Sequence, residues 1–279
     1  MRNPLGTMIR CADVTEKRLA FYHEIGLDSI QIAGVYESHL SPSEEGRRNT
    51  GILSGLLDRY ELSVPSMFLS YPAQNWSDPK NGVGLTPEGT RTERMILSCR
   101  QMNWAKQHFG TRFVLCHVGW FPEEDTPPFD KIIAELKLLA DFAEANGQMF
   151  LFETGDERVA DFKNILKRIG SPATGVNFDP ANLLIYNRDD PAVMIREMRG
   201  DIRSVHCKDA RRPVPGDLRG RETVLGKGDT RFGDLLADLL SGGFDGPLVI
   251  ERELPFGPEQ EADVREAVGF IKGIMAAHS

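Results

Sequence analysis

The sequence predicts an α/β protein, a single-domain, closed (β/α)8 barrel built from residues 1–279. Three observations predict it. Short apolar, β-branched runs alternate eight times with longer amphipathic stretches, the pattern that puts parallel strands inside and helices outside. The first run is followed by Cys11-Ala12-Asp13 rather than a Gly-rich phosphate loop, which disfavours a doubly wound nucleotide-binding sheet. No Ser/Gly linker or low-complexity segment divides the 279 residues, a length that one barrel of this kind fills.

Taken in order, residues 6–10 form the first strand, and a helix over 14–25 follows, with Asp13 or Thr15 able to cap it and Gly26 after its last turn. The second strand, 29–33, leads to a helix over 43–59. The third, 63–68, is followed by the longest irregular stretch, 71–86, which carries Trp76, two prolines and two glycines, and then by a helix over 87–109. Such a loop beyond a barrel strand reads either as a lid over the mouth or as a plain solvent loop. The fourth unit pairs 112–117 with a helix over 128–146, and the fifth pairs 149–153 with one over 157–169; Gly147 and Gly170 close these helices. The last three strands, 175–179, 204–206 and 247–251, precede helices over 190–199, 230–241 and 258–276.

Composition excludes several classes. With 41% hydrophobic and 27% charged residues the chain is of ordinary globular type. Lys+Arg 33 against Asp+Glu 41 leaves a net charge of −8, which repels nucleic-acid phosphates. No run approaches the ~18 apolar residues of a membrane span, and the start, Met1-Arg2-Asn3-Pro4, lacks the apolar stretch of a secretory signal. These features predict a soluble, cytoplasmic protein without a membrane or nucleic-acid partner. Cys11, Cys99, Cys116 and Cys207 are scattered and read as reduced thiols.

In a barrel the C-terminal ends of the strands face the active mouth. Five strands end on ionisable groups: His117 in Leu115-Cys116-His117, Glu153 in Phe152-Glu153-Thr154-Gly155, Asp179 in Phe178-Asp179-Pro180-Ala181-Asn182, His206 in Val205-His206-Cys207-Lys208-Asp209, and Glu251 in Ile250-Glu251-Arg252. A carboxylate carried inward by an apolar run suffers a large desolvation cost unless paired or bound to a cation. Glu153, Asp179, His206 and Glu251, on four consecutive strands, therefore suit one shared divalent metal. An imidazole with three carboxylates is a hard, oxygen-rich set, for which Mn²⁺ is the first choice and Mg²⁺, Co²⁺ or Zn²⁺ are alternatives.

The ordered series Glu153-Thr154-Gly155, Phe178-Asp179-Pro180-Ala181-Asn182, Val205-His206-Cys207-Lys208-Asp209, Leu225-Gly226-Lys227-Gly228 and Val249-Ile250-Glu251 resembles the xylose isomerase-like TIM barrels. Within them it is similar to the sugar phosphate isomerases/epimerases, tagatose 3-epimerase-like enzymes included. The resemblance implies that Glu153, Asp179, His206 and Glu251 bind one metal and that the two glutamates flank the substrate. It further implies that Glu153 and Glu251 are catalytic, one removing a proton next to a carbonyl and the other returning it through an enediolate. The order of the two is open, as is epimerisation against isomerisation. The implied substrate is a small-molecule carbohydrate, a ketose-like sugar, sugar acid or sugar phosphate, and a homo-oligomer is compatible with the family.

Other residues carry subsidiary readings. His117 can bond a substrate hydroxyl, orient Glu153, or pack as a neutral core histidine. Lys208 shares the facing of His206 by strand alternation and reads as a substrate contact or a salt bridge, while Cys207 and Asp209 point away. Asn182 stands where some relatives place a histidine that touches substrate or a further metal, and it reads here as a substrate contact. Trp120, with Phe121, Trp76 and Phe68, can wall a sugar site. Arg211, Arg212, Arg219 and Arg221 suit a phosphate or carboxylate, or a solvated loop or subunit contact. The endonuclease IV branch is disfavoured, because the histidines of its three-metal cluster are missing. Alternatives to the isomerase are an inosose-type dehydratase on the same barrel and a sugar-binding barrel without turnover. A glycosidase lacks support, since no Asn-Glu-Pro ends a strand.

Overall fold

The computed structural model describes residues 3–278; Met1, Arg2 and Ser279 lie outside them. Ten strands are present among the described residues: β1 Leu5–Arg10, β2 Ser29–Ala33, β3 Ser63–Phe68, β4 Phe113–Cys116, β5 Met149–Glu153, β6 Thr174–Phe178, β7 Ile202–Cys207, β8 Asp209–Arg211, β9 Arg221–Thr223 and β10 Leu248–Ile250. Eight of them close into an all-parallel barrel in the order β1-β10-β7-β6-β5-β4-β3-β2. The remaining two, β8 and β9, pair antiparallel as a hairpin on the mouth side of β7.

Strand alternation divides the core into two parts. On β4 and β5, Val114, Cys116, Phe150 and Phe152 face the helical layer, whereas Phe113, Leu115 and Leu151 form a separate cluster that fills the barrel. The helices meet this outer face with apolar stripes of helical period. The helix Val159–Ile169 buries Val159, Phe162, Ile165 and Ile169, and Phe162 stands edge-on to Phe152 with centroids 6.3 Å apart. Two residues beyond inward-facing Leu151 the same side of β5 carries Glu153. The barrel interior thus passes from an apolar lower layer to a polar mouth.

The eight barrel units stand where the sequence places them, with shifts at the ends. Thr15 is the observed cap of Glu16–Glu24, its side chain accepting from the Arg18 N–H at 3.3 Å. Gly26, Gly147 and Gly170 all have positive φ. His117 lies one residue past β4, Asp179 one past β6 and Glu251 one past β10. The stretch 71–86 contains a one-turn helix, Pro79–Gly82, and further short helices form at Glu37–Leu40 and Pro180–Ile185. These helices of four to six residues are too short for a 3.6-residue period to show. The β8–β9 hairpin is equally short, and an Arg-, Pro- and Gly-containing connection hides its alternation.

The four cysteines are free. Among the described residues no helix is long and apolar enough to cross a membrane.

Candidate metal centre

Glu153, Asp179, His206 and Glu251 meet at the mouth, with one ligand atom from each lying within 4.8 Å of the others. Each arrives by a different local device. Glu153 ends β5 and pairs in register with Asn177. His206 is the penultimate residue of β7, in register with Val249, and Glu251 follows β10 with its N–H on the Cys207 carbonyl.

Asp179 leaves β6 to cap the helix Pro180–Ile185. Its Oδ1 accepts from the Ala181 and Asn182 N–H groups at 2.8 and 3.0 Å, which leaves Oδ2 for the centre. Pro180 suits the first helical position because no N–H is required there. Thr154 locks the two strand ends together: its hydroxyl donates to the Asp179 carbonyl at 2.8 Å and accepts the Asp179 N–H at 2.7 Å. Asn182 Nδ2 completes the lock on the Thr154 carbonyl at 3.1 Å. Asn182, which the sequence offers as a substrate contact, thus braces this backbone, with its side chain buried beside Asp179.

Four atoms of the group make no hydrogen bond. Glu153 Oε2, Asp179 Oδ2, Glu251 Oε2 and His206 Nδ1 are buried without a hydrogen bond. His206 Nδ1 lies 2.8 Å from Glu153 Oε1 and 2.9 Å from Glu251 Oε2, but neither approach has hydrogen-bond geometry. On the other side of the ring, Nε2 meets Gln31 Oε1 at 2.9 Å, and Gln31 Nε2 donates to Ser66 Oγ at 2.9 Å. With its amide N–H on Ser66, Gln31 offers His206 an acceptor, so Nε2 carries a proton; in the neutral ring that a bound cation requires, Nδ1 would then present its lone pair to the centre. Buried oxygens and an imidazole lone pair pointing at one another fit a divalent cation.

Gln31 was not legible as a site residue, although an amide within the buried run Ser29–Ala33 is a signal of an interior polar partner. Replacing it by leucine is expected to weaken Mn²⁺ binding by ~10–100-fold, the usual effect of removing such a partner. Calorimetric titration of the folded Gln31→Leu protein checks this; unchanged affinity would remove Gln31 from the centre.

The electrostatics follow from burial and proximity. Burial pushes Asp179 up to about 7, with Lys208 opposing and Glu251 and Glu153 adding to the rise. Burial alone would raise Glu251 too, but Lys208 and His206 hold it well below the usual carboxylate range. For His206, burial favours the neutral ring, yet Glu153 and Glu251 outweigh it and lift the pKa to about 10. Lys208, on the same side of its strand as His206, is buried; its Nζ lies 3.5 Å from Glu251 Oε2 and 3.7 Å from Asp179 Oδ2 and also donates to Glu253. Burial would lower its pKa, but Glu251, Asp179 and Glu253 keep it well above the ordinary value.

Asp209 turns the other way and organises the mouth behind Lys208. It accepts from the N–H groups of Ala210, Gly226, Gly228 and Thr230 and from the Thr230 hydroxyl. Those bonds explain the Leu225-Gly226-Lys227-Gly228 motif: a Cβ on Gly228 would lie 2.1 Å from Asp209 Oδ1. Lys227 itself points outward to Glu266 at 2.8 Å.

A cleft of about 680 Å³ opens beside the quartet. The two share His117, which lines the cleft and places Nε2 3.3 Å from Glu153 Oε2. Gly155 allows this approach, since a Cβ there would stand 3.3 Å from both His117 Nδ1 and Glu157 Oε2. Glu157 also lines the cleft, and burial pushes its carboxyl up to about 8. Phe68 links the two regions, with its ring 6.0 Å from His117 and 6.3 Å from His206.

Trp76, Lys80 and Trp120 form an outer wall. Two buried guanidiniums anchor the loop that carries the first two. Arg94 donates to the Gly84 and Gly82 carbonyls at 2.6 and 3.1 Å, and Arg91 Nε to Leu85 at 2.9 Å. Of the arginines beyond β7, Arg219 reaches the cleft, stacked on Tyr186 at 4.8 Å. Arg211, Arg212 and Arg221 instead meet Asp229, Asp190 and Asp217 on exposed surface.

Fold and site together define an eight-stranded parallel α/β barrel whose mouth presents a three-carboxylate, one-imidazole group able to hold a divalent metal. The sequence model of the xylose isomerase-like TIM barrel matches residues 19–274, and the chain belongs to that family. A search of curated proteins returned no match. The structure is similar to that of a xylose isomerase domain protein from Planctomyces limnophilus, at 25% identity and a TM-score of 0.89 over 100% of this chain and 99% of the other. A xylose isomerase-like TIM barrel protein from Mycobacterium smegmatis, solved in complex with magnesium, aligns at 16% identity and a TM-score of 0.75 over 99% and 97%. A D-tagatose 3-epimerase-like protein aligns at 20% identity and 0.74 over 99% and 98%.

Proposed function

We propose that the protein is a divalent-metal-dependent isomerase or epimerase that moves a proton next to the carbonyl of a ketose-like substrate. The observation that carries this reading is the quartet, whose inward oxygens and imidazole nitrogen are buried without a hydrogen-bond partner. A cation held by Glu153, Asp179, His206 and Glu251 would supply the electrophile for the carbonyl oxygen and its neighbouring hydroxyl. Mn²⁺ is our first choice for this oxygen-rich set, and the magnesium complex of the M. smegmatis protein supports Mg²⁺ as the next.

Glu153 and Glu251 are the proton-transfer pair. One removes the proton and the other returns it, to the opposite face in epimerisation or to the adjacent carbon in isomerisation. Their surroundings differ: the Glu153 side chain is 1% exposed and lies against His117, while Glu251 is 10% exposed and lies against Lys208. His117 orients Glu153 from the cleft side. Lys208 keeps Glu251 ionised, ready to accept a proton, and can donate to a substrate oxygen beside it. Trp120 walls the outer cleft, and Asn182 serves by holding the backbone on which Asp179 stands.

The test is solvent exchange. In deuterium oxide with Mn²⁺, the protein is expected to introduce deuterium beside the carbonyl of a substrate drawn from ketoses, keto acids and their phosphates, and to form an isomer of equal mass apart from the label. Absence of exchange across such a panel by metal-loaded protein would sink the reading. A product lighter by one water would transfer the site to dehydration.

A further inference from the structure

The cleft is larger than one sugar requires. Its volume of about 680 Å³ falls within the ~300–1,000 Å³ of sites that take drug-sized ligands, and a single hexose fills well under half of it. The quartet lies behind the His117 end, so most of the volume extends outward, between the 71–86 loop and the segments after β4 and β5.

This outer part holds two of the three tryptophans. Trp104 is buried at 5% exposure, whereas Trp76 and Trp120 remain 50% and 42% exposed. Both are held in place: Trp76 against His117, with ring centroids 5.5 Å apart, and Trp120 beneath the Lys80 ammonium at 4.2 Å. Indoles kept half-exposed on anchored segments offer flat apolar surface to a ring passing along the cleft. The charge of the cleft selects further. Five carboxyl side chains line it against four basic ones, and Arg188, among the latter, already donates to Asp156 at 2.8 and 2.6 Å. That balance gives the cleft as a whole no net attraction to a phosphate.

We propose that the substrate is a glycoside rather than a free monosaccharide or a sugar phosphate: the quartet takes the ring that bears the carbonyl, and Trp76 and Trp120 take a second ring joined to it through the glycosidic oxygen. This rests on the proton-transfer reading for the fate of the first ring, but the binding of the second ring is independent of it.

Calorimetric titration of the Mn²⁺-loaded protein tests the proposal. The one-ring probes are fructose and tagatose; the two-ring probes are lactulose and maltulose, with a second sugar, and phenyl 3-keto-β-glucoside, with an aryl ring. At least one two-ring probe is expected to bind about tenfold or more tightly than the one-ring ketoses, which corresponds to ~1.4 kcal/mol. Preference for the sugar pair assigns a disaccharide, and preference for the aryl probe assigns an aryl glycoside. Trp120→Ala and Trp76→Ala bring the ratio of two-ring to one-ring affinity toward unity, and Trp120→Phe, which keeps a flat face, retains most of it. A ratio near unity in the wild type, or one that neither alanine variant alters, overturns the proposal. Deuterium exchange separates it from the reading beneath. Two-ring preference without exchange removes proton transfer and leaves the glycoside; a higher kcat/KM for exchange on one-ring ketoses removes the glycoside and leaves proton transfer.

Discussion

Glu153→Gln and Glu251→Gln are each expected to lower turnover by ~10²–10⁴-fold, the usual contribution of a positioned acid or base. Glutamine keeps the shape and one ligand oxygen but cannot carry the proton. The two variants should differ in a way that assigns their roles. When the first base is replaced, deuterium no longer enters the starting sugar at all. When the second is replaced, exchange into the starting sugar continues while its isomer is no longer formed. Following both reactions by proton NMR and mass, with Mn²⁺ affinity measured alongside, separates lost chemistry from lost metal. Wild-type turnover in either variant on the true substrate would remove that glutamate from the mechanism.

Lys208→Met is expected to destabilise the metal-free protein by about 3–5 kcal/mol, the cost of removing one partner from a buried ionic cluster. Its size should depend on pH. Asp179 is raised from 3.8 to about 7 in the folded state. It therefore contributes stability fully present below its unfolded value and lost as pH rises through about 7. His206, raised from 6.5 to about 10, acts in the same direction over a higher window. Glu251, held low mainly by Lys208 against its burial, acts oppositely: its contribution is present above 4.5 and lost in acid. Without Lys208 the rise of Asp179 steepens and the support of Glu251 weakens, so the deficit is larger near about pH 8 than near about pH 5. Urea unfolding at both pH values, with a chelator and then with Mn²⁺, checks this. Saturating metal at about 100 times its Kd adds ~2.7 kcal/mol to the wild type and should add more to the variant, whose carboxylates lack the neighbouring ammonium, so that the gap narrows. A deficit that ignored both pH and metal would mean that Lys208 acts by packing alone.

Much of the candidate site was legible because each of its four residues closes an apolar run. Side-chain alternation turned Leu151 and Glu153 to one side and Phe150 and Phe152 to the other, and it put His206 and Lys208 together with Cys207 facing the helices. The less legible parts depend on contacts that no local pattern encodes. His206 and Gln31 are 175 residues apart, and Asn182 finds its partner on a neighbouring strand end 28 residues back. The guanidiniums of Arg91 and Arg94 face carbonyls of the preceding loop, an arrangement that their positions on a long helix do not announce.

Periodicity and turn residues, being local, were enough to determine eight strand–helix units and which residues stand at the strand ends. Closure of the barrel decided the rest. Strands β10, β7, β6 and β5 are neighbours in the closed cylinder, and their pairing brings four ends within the reach of one ion. Only the packing of the 71–86 loop against the β4 end gives the cleft its outer wall, since Leu85 and Thr86 both donate to the Val118 carbonyl. Distances between residues remote in sequence are set by how the whole cylinder shuts, and a chain read residue by residue carries no measure of them.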